Sequence, residues 1–158
     1  MKKLITAALL AVSAATAAPA MADSFVGPRV TGEVGYQDIS NIPSNRDFTY
    51  GVELGYDTKV VGPITAGLET GLDNVFDRRD VNVGARLGYE VTGYTLVYAG
   101  LGYDNLRDLH AHNLQGLRAT GGVDLNVVGP FSVGVQYAHT DLGGVKNNGV
   151  VATTSVRF

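Results

Sequence analysis

From Arg29 to the C-terminus, apolar residues alternate with polar or small ones, segment after segment, and each segment is about ten residues long. A period of two is the side-chain period of a strand, and no 3.6-residue apolar stripe competes with it. Eight such segments can be read, at 29–37, 48–57, 64–73, 81–91, 95–104, 114–127, 131–139 and 149–158. About ten residues is also the length a tilted strand needs to cross a bilayer. Past the N-terminal residues no apolar run reaches the roughly 18 to 20 residues of a membrane helix, so any membrane-spanning structure must be a closed barrel, which satisfies every backbone group between strands.

The connections alternate as well. Val61-Gly62-Pro63, Thr92-Gly93 and Val128-Gly129-Pro130 are compact turns, whereas 40–47, 74–80, 105–113 and 141–148 are longer and polar. Short turns at one end and longer loops at the other, with both termini on the short-turn side, is the layout of an up-and-down barrel that spans a membrane. The fold expected is therefore all-β, an eight-stranded antiparallel up-and-down transmembrane β-barrel.

Which face meets lipid is not fixed by alternation, because a soluble barrel with an apolar lumen alternates in the same way. The chemistry of the two faces decides. One face carries Val34, Tyr36, Val52, Leu54, Leu68, Leu87, Leu101, Val133 and their like, with no charge. The other carries Glu33, Glu53, Asp57, Glu69, Asp73, Arg86, Glu90, Asp104, Arg118, Asp124 and Arg157. On that charged face glycine is interleaved, as in Gly51-x-Glu53-x-Gly55, Gly67-x-Glu69-x-Gly71 and Gly84-x-Arg86-x-Gly88. Glycine weakens a solvated strand, but in a narrow eight-stranded lumen it makes room for a long neighbour. Beyond the N-terminal segment the lysines are Lys59 and Lys146, both expected in connections. A charge facing lipid at the midplane costs roughly 2 to 4 kcal/mol, and the apolar face places none there.

The N-terminus reads as a secretory signal peptide: Lys2 and Lys3, an apolar stretch from Leu4 to about Ala18, and Ala20-Met21-Ala22 as a small-x-small cleavage pattern. Residues 1–22 are thus expected to be removed, leaving 23–158 as one barrel domain. Loss of Lys2 and Lys3 takes the formal charge from −3 to −5, a balance unlike that of a nucleic-acid binder. There is no cysteine, hence no disulfide and no thiolate metal site.

Aromatic residues gather at strand ends. Tyr36, Phe48, Tyr50, Tyr103 and Tyr137 lie at the long-loop ends, and Tyr56, Tyr89, Tyr94, Phe131 and Phe158 at the short-turn ends, which predicts two girdles, one per membrane interface. With the final run Thr153-Thr154-Ser155-Val156-Arg157-Phe158 and the repeated pieces Gly55-Tyr56-Asp57, Gly88-Tyr89-Glu90 and Gly102-Tyr103-Asp104, the chain from about residue 25 onward resembles the small outer-membrane barrels of the OmpA/OmpX and opacity-protein type. The resemblance implies an outer-membrane location after export, surroundings of membrane lipid and lipopolysaccharide, and Phe158 as the signal read by the barrel-assembly machinery. No C-terminal peptidoglycan-binding domain of that family is expected, so a wall-anchoring role is not carried over, and the outer loops are short for an opacity-type adhesin.

Three groups of residues bear on function. Glu33, Glu53, Glu69, Arg86, Arg118 and Arg157 form the expected lumen charge network, with Glu53, Glu69, Arg86 and Arg118 near mid-barrel and Arg157 reaching Glu33 across the closing seam. Charges inside a barrel must be paired whether or not anything passes, so the network reads as a structural plug, or alternatively as an electrostatic gate. His110 and His112 share a loop with Asp108, and His139 ends the seventh segment; the ligand count is short for a dedicated metal site. Lipid-modifying outer-membrane hydrolases, which resemble this chain in size, use a His with a Ser and an acid near the outer rim; here His139 is followed by Thr140 and Asp141, and no serine lies close after it. Asp73, Asp77 and Asp80 around Arg78 and Arg79 have a carboxylate spacing that could meet divalent cations but is ordinary for a solvated loop, and they are assigned no site. No catalytic, cofactor or metal residue is assigned. The readings, in order, are a structural, envelope-integrity or surface-interaction barrel, a minor channel for ions or very small solutes, and a lipid-modifying enzyme.

Overall fold

The computed structural model describes residues 25–39, 46–75, 78–107, 113–141 and 146–158. The segment read as a signal peptide, the loop residues Asp77 and Asp108, and His110 and His112 lie outside the described residues. Eight strands follow in chain order: β1 (Gly27–Ile39), β2 (Arg46–Val61), β3 (Ile64–Val75), β4 (Arg78–Thr92), β5 (Thr95–Arg107), β6 (Asn113–Val128), β7 (Phe131–Asp141) and β8 (Lys146–Arg157). Each pairs antiparallel with its neighbours in sequence, and β8 pairs with β1 to close the barrel. Closure leaves no strand edge, the condition for a sheet to live in hydrocarbon.

The strands run longer than the alternating segments that announced them. Lys59, expected in a connection, pairs with Thr65 inside the β2–β3 ladder, and Lys146 opens β8 opposite Asp141. Pairing continues past the apolar band because backbone ladders need no apolar side chains. In each short-turn hairpin the register shifts just before the turn, at Lys59/Val61, Glu90/Thr92 and Asn126/Val128. Such bulges tighten the local twist. Gly62 and Gly129 then turn the chain at φ 53°, a left-handed conformation that glycine adopts without a Cβ penalty.

The registers also fix the tilt. A row of lumen-facing partners runs Asp57, Gly67, Arg86, Gly100, Thr120, Ala138, Gly149 and Gln37, and returns to β2 at Asp47, ten residues from where it began. A stagger of ten over eight strands tilts them by roughly 35–45° and leaves an interior that side chains can fill.

The molecule is turned inside out relative to a soluble domain. Leu101 is 74% exposed, Leu117 73% and Leu68 70%, while Glu53 and Arg86 are 3% exposed and Arg118 6%. Valines, leucines and aromatics on every strand point outward, and the described charges of the opposite face point to the axis. Only lipid tails can cover such an exterior without a hydrophobic penalty. The buried apolar cluster is small, made of Phe25, Leu96 and Tyr98 near the short-turn end.

Candidate functional site: the charged lumen

The short-turn half of the lumen is built around three arginines from β1, β4 and β8. Arg29 Nη1 donates to Glu53 Oε1 at 2.5 Å and to Thr31 Oγ1 at 2.9 Å, and its Nη2 donates to Glu69 Oε2 at 3.1 Å. Arg86 forms a two-point fork on Asp57, Nε to Oδ1 at 2.8 Å and Nη2 to Oδ2 at 2.5 Å, the geometry in which arginine and carboxylate match best. Arg157 donates to Ser132 Oγ at 2.6 Å and to Asp124 Oδ2 at 3.2 Å. Asp57 lies within ion-pair distance of all three arginines, so it is the hub of this half. Below it Arg86 stacks 4.7 Å over the Tyr98 ring and Arg157 5.2 Å over Phe25, each guanidinium resting on an aromatic face.

Glycine makes this packing possible. A Cβ on Gly67 would collide with the Asp57 carboxylate, and one on Gly51 with that of Asp73. The interleaved Gly-x-Glu and Gly-x-Arg pattern thus marks where a long polar side chain from one strand lies across the backbone of the next.

The long-loop half is different. Arg118 on β6 donates to Asp73 Oδ2 at 3.0 Å and lies 3.7 Å from Asp104 Oδ1. Asn82 adds a bond to Asp73 Oδ2 at 3.2 Å, and Thr140 donates to Asp104 Oδ2 at 2.7 Å. Glu33 and Asp80 are buried here and make no ion pair with a described side chain. Asp80, expected in the loop 74–80, is a strand residue pointing into the lumen, as is Asp73, which lies on the charged face of the third strand as its segment predicts.

Several expectations are corrected by this arrangement. Arg157 does not reach Glu33: its register partner on β1 is Arg29, and Glu33 instead faces Thr153 on β8 and Gly51 on β2. Glu53, Glu69, Arg86 and Arg118 do not form one mid-barrel group, since Glu53 and Glu69 go to Arg29, Arg86 goes to Asp57, and Arg118 belongs to the other half. The tilt separates them: residues in one register row sit at different heights, as Glu69 and Arg118 do across Gly84 and Gly102. Arg29, outside the expected network, belongs to it: its place two residues before Thr31 and four before Glu33 puts it on the same face.

Outside the barrel, Tyr36 packs edge-on against Phe48 with centroids 5.9 Å apart, and Phe48 lies 6.5 Å from Tyr50. Tyr103 donates to Gln115 Oε1 at 2.7 Å and Tyr137 to Asn148 Oδ1 at 2.8 Å, so these phenols anchor the long-loop rim. At the other rim Tyr56, Tyr89, Tyr94 and Phe131 are exposed and Phe158 is half-buried. Lys59 lies there too, 3.7 Å from Glu90. His139 faces the exterior, with Nδ1 2.7 Å from the Asn148 Oδ1 that also accepts from Tyr137. The described serines, Ser132 and Ser155, lie in the lumen near the opposite end.

The family described as the outer membrane protein beta-barrel domain matches residues 5–158. Among solved structures, the outer membrane enzyme PagL superposes with a TM-score of 0.67 at 17% identity, over 82% of this chain and 99% of that one. Neisserial surface protein A (NspA) gives 0.63 at 17% identity, over 84% and 97%. Ail, the attachment invasion locus protein of Yersinia pestis, gives 0.58 at 15%, over 84% and 99%. No curated protein matches the sequence. At such identities the structural likenesses speak for the fold, whereas the family match spans nearly the whole chain and agrees with an apolar exterior around a charged lumen. The chain therefore belongs to the outer membrane protein beta-barrel domain family and is an integral eight-stranded barrel of the outer membrane.

Proposed function

We propose that the protein serves the envelope as a closed structural barrel, contributing to outer-membrane integrity and presenting its outer rim for surface contacts. The supporting observation is the periplasmic half of the lumen, where Arg29, Arg86 and Arg157 lie across the axis and are tied to Glu53, Glu69, Asp57 and Asp124. A plug of this kind stiffens the cylinder and obstructs it. The lipid-facing surface and the tyrosines at its rims suit contact with membrane lipid and lipopolysaccharide. Residues 1–22 act as the export signal, so the mature chain begins at Asp23, and Phe158 acts in recognition by the barrel-assembly machinery. A deletion strain is expected to leak periplasmic enzymes and lose detergent resistance, with both restored by the wild-type gene. Unchanged leakage and resistance would remove the envelope role.

A second reading, a narrow path for ions, draws support from the lumen's outer half, where one described arginine meets an excess of acid. In planar bilayers it requires unit currents that change on neutralising Arg86 or Glu53. For catalysis, His139 is oriented by Asn148 but has no described serine beside it, so the proposed role includes no chemical step. A deacylase assay on lipopolysaccharide is expected to show no difference between wild type and His139→Ala.

A further inference from the structure

One register row of the lumen forms an acidic ramp. From Asp124 on β6 it passes Gly134, Thr153 and Glu33, then Gly51, Asp73 and Asp80 on β4, each residue paired to the next across a strand boundary. Because the strands tilt, the row climbs. Asp124 lies four residues from the periplasmic end of β6 at Val128, and Asp80 lies two residues from the outer end of β4 at Arg78. The space the two glycines leave is taken by their polar neighbours: at Gly134 by the Asp124 carboxylate and Thr153 Oγ1, and at Gly51 by the Asp73 carboxylate, next to the register position of Glu33.

A second observation is independent of this acid count. Thr153 Oγ1, Glu33 Oε1, Asp73 Oδ1 and Asp80 Oδ1 are all buried without a hydrogen-bond partner among the described residues. Their side chains are only 5% to 7% exposed. Four successive polar steps of one row therefore each present an unused oxygen to the lumen. A buried acceptor left unpaired is costly, and a buried carboxylate without counter-charge more so. In the periplasmic half three arginines answer four carboxylates, whereas in the outer half Arg118 is the one described arginine facing Glu33, Asp73, Asp80 and Asp104. Among the described residues, the component this half is short of is positive charge.

We propose that the outer half of the lumen holds a small, partly hydrated inorganic cation, resident between Glu33 and Asp73 over Gly51 and reached along the ramp from the outer mouth. Among the described residues no three acidic or histidine side chains close into a ready metal shell, so the ion keeps part of its water and is held by charge and by the unused oxygens. The site is blind. Its lower end is Asp124, held by Arg157 at 3.2 Å and approached by Arg86 at 3.8 Å, so occupancy does not require conduction and stands apart from the channel reading.

The test is a manganese(II) chloride titration of the full barrel in lipid nanodiscs, at constant ionic strength set with choline chloride and read by amide NMR. Paramagnetic broadening is expected at Gly51 and Thr153 at concentrations that leave Gly67 and Gly100, beside the Arg86 plug, sharp. Excess magnesium or potassium should restore the Gly51 signal. Glu33→Gln, which keeps the side chain's shape, should weaken the Gly51 response roughly 10- to 100-fold, while broadening at the outer-rim residue Asp141 persists. Should that variant fail to show the folded, heat-modifiable band, Asp73→Asn and the competition on the wild type give the same reading. The proposal is overturned if Gly51 stays sharp while rim amides broaden, the result expected if a shared proton or a loop arginine neutralises the pair. It is equally overturned if Glu33→Gln titrates like the wild type.

Discussion

Asp57 shows how a single residue is bound by its surroundings. It is 1% exposed and shared among three arginines, so removing one leaves the others in place but strips the carboxylate of its best-formed bonds, the fork from Arg86. Breaking a buried pair from one side costs about 3–5 kcal/mol, because the remaining charge is stranded. Arg86→Ala is therefore expected to lower urea stability in lipid vesicles by about that amount. Adding Asp57→Asn should recover part of the loss, which is a non-additive coupling. The chain has no tryptophan, so circular dichroism and the mobility of the unboiled band are the suitable probes.

At the scale of a strand, alternation controls everything. On β5, Leu101 faces lipid and is flanked in register by Ala85 and Ala119, far from either rim. Leu101→Arg is expected to cost roughly 2–4 kcal/mol of folding free energy in bilayers, the midplane value for a basic residue facing lipid. The same substitution at Tyr94, in a turn at the rim, should cost about 0–1 kcal/mol. The last strand carries a different prediction. Deleting Phe158 is expected to slow assembly in cells, seen as accumulation of unfolded chain, while barely shifting the stability of barrel already folded. Phe158 is half-buried at the strand end and donates one backbone bond, to Pro28.

For the whole molecule, closure is the decisive property. With β1 joined to β8 over eleven register pairs, the barrel should resist detergent without heating and migrate differently when boiled. Neutralising two arms of the plug together, as Arg86→Ser with Arg157→Ser, is expected to raise conductance in planar bilayers above the wild-type level. An unchanged trace would mean that Arg29 and the Phe25, Leu96 and Tyr98 cluster obstruct the path unaided.

The period of two, the uncharged face, the glycines beside charges and the tyrosines at strand ends were enough to specify strand number, pairing order and which side meets lipid. All of these follow from local chemistry repeated along the chain. What no single strand contains is the stagger between strands. The ten-residue shift on closure decides which charges share a height, and so why Arg157 meets Asp124 rather than Glu33, why Arg29 joins Glu53 and Glu69, and why the acids from Asp124 to Asp80 line one climbing row. Alternation along a strand is written in neighbouring residues, whereas height in a tilted barrel is a sum over every register around the ring, and only the closed sheet sets that sum.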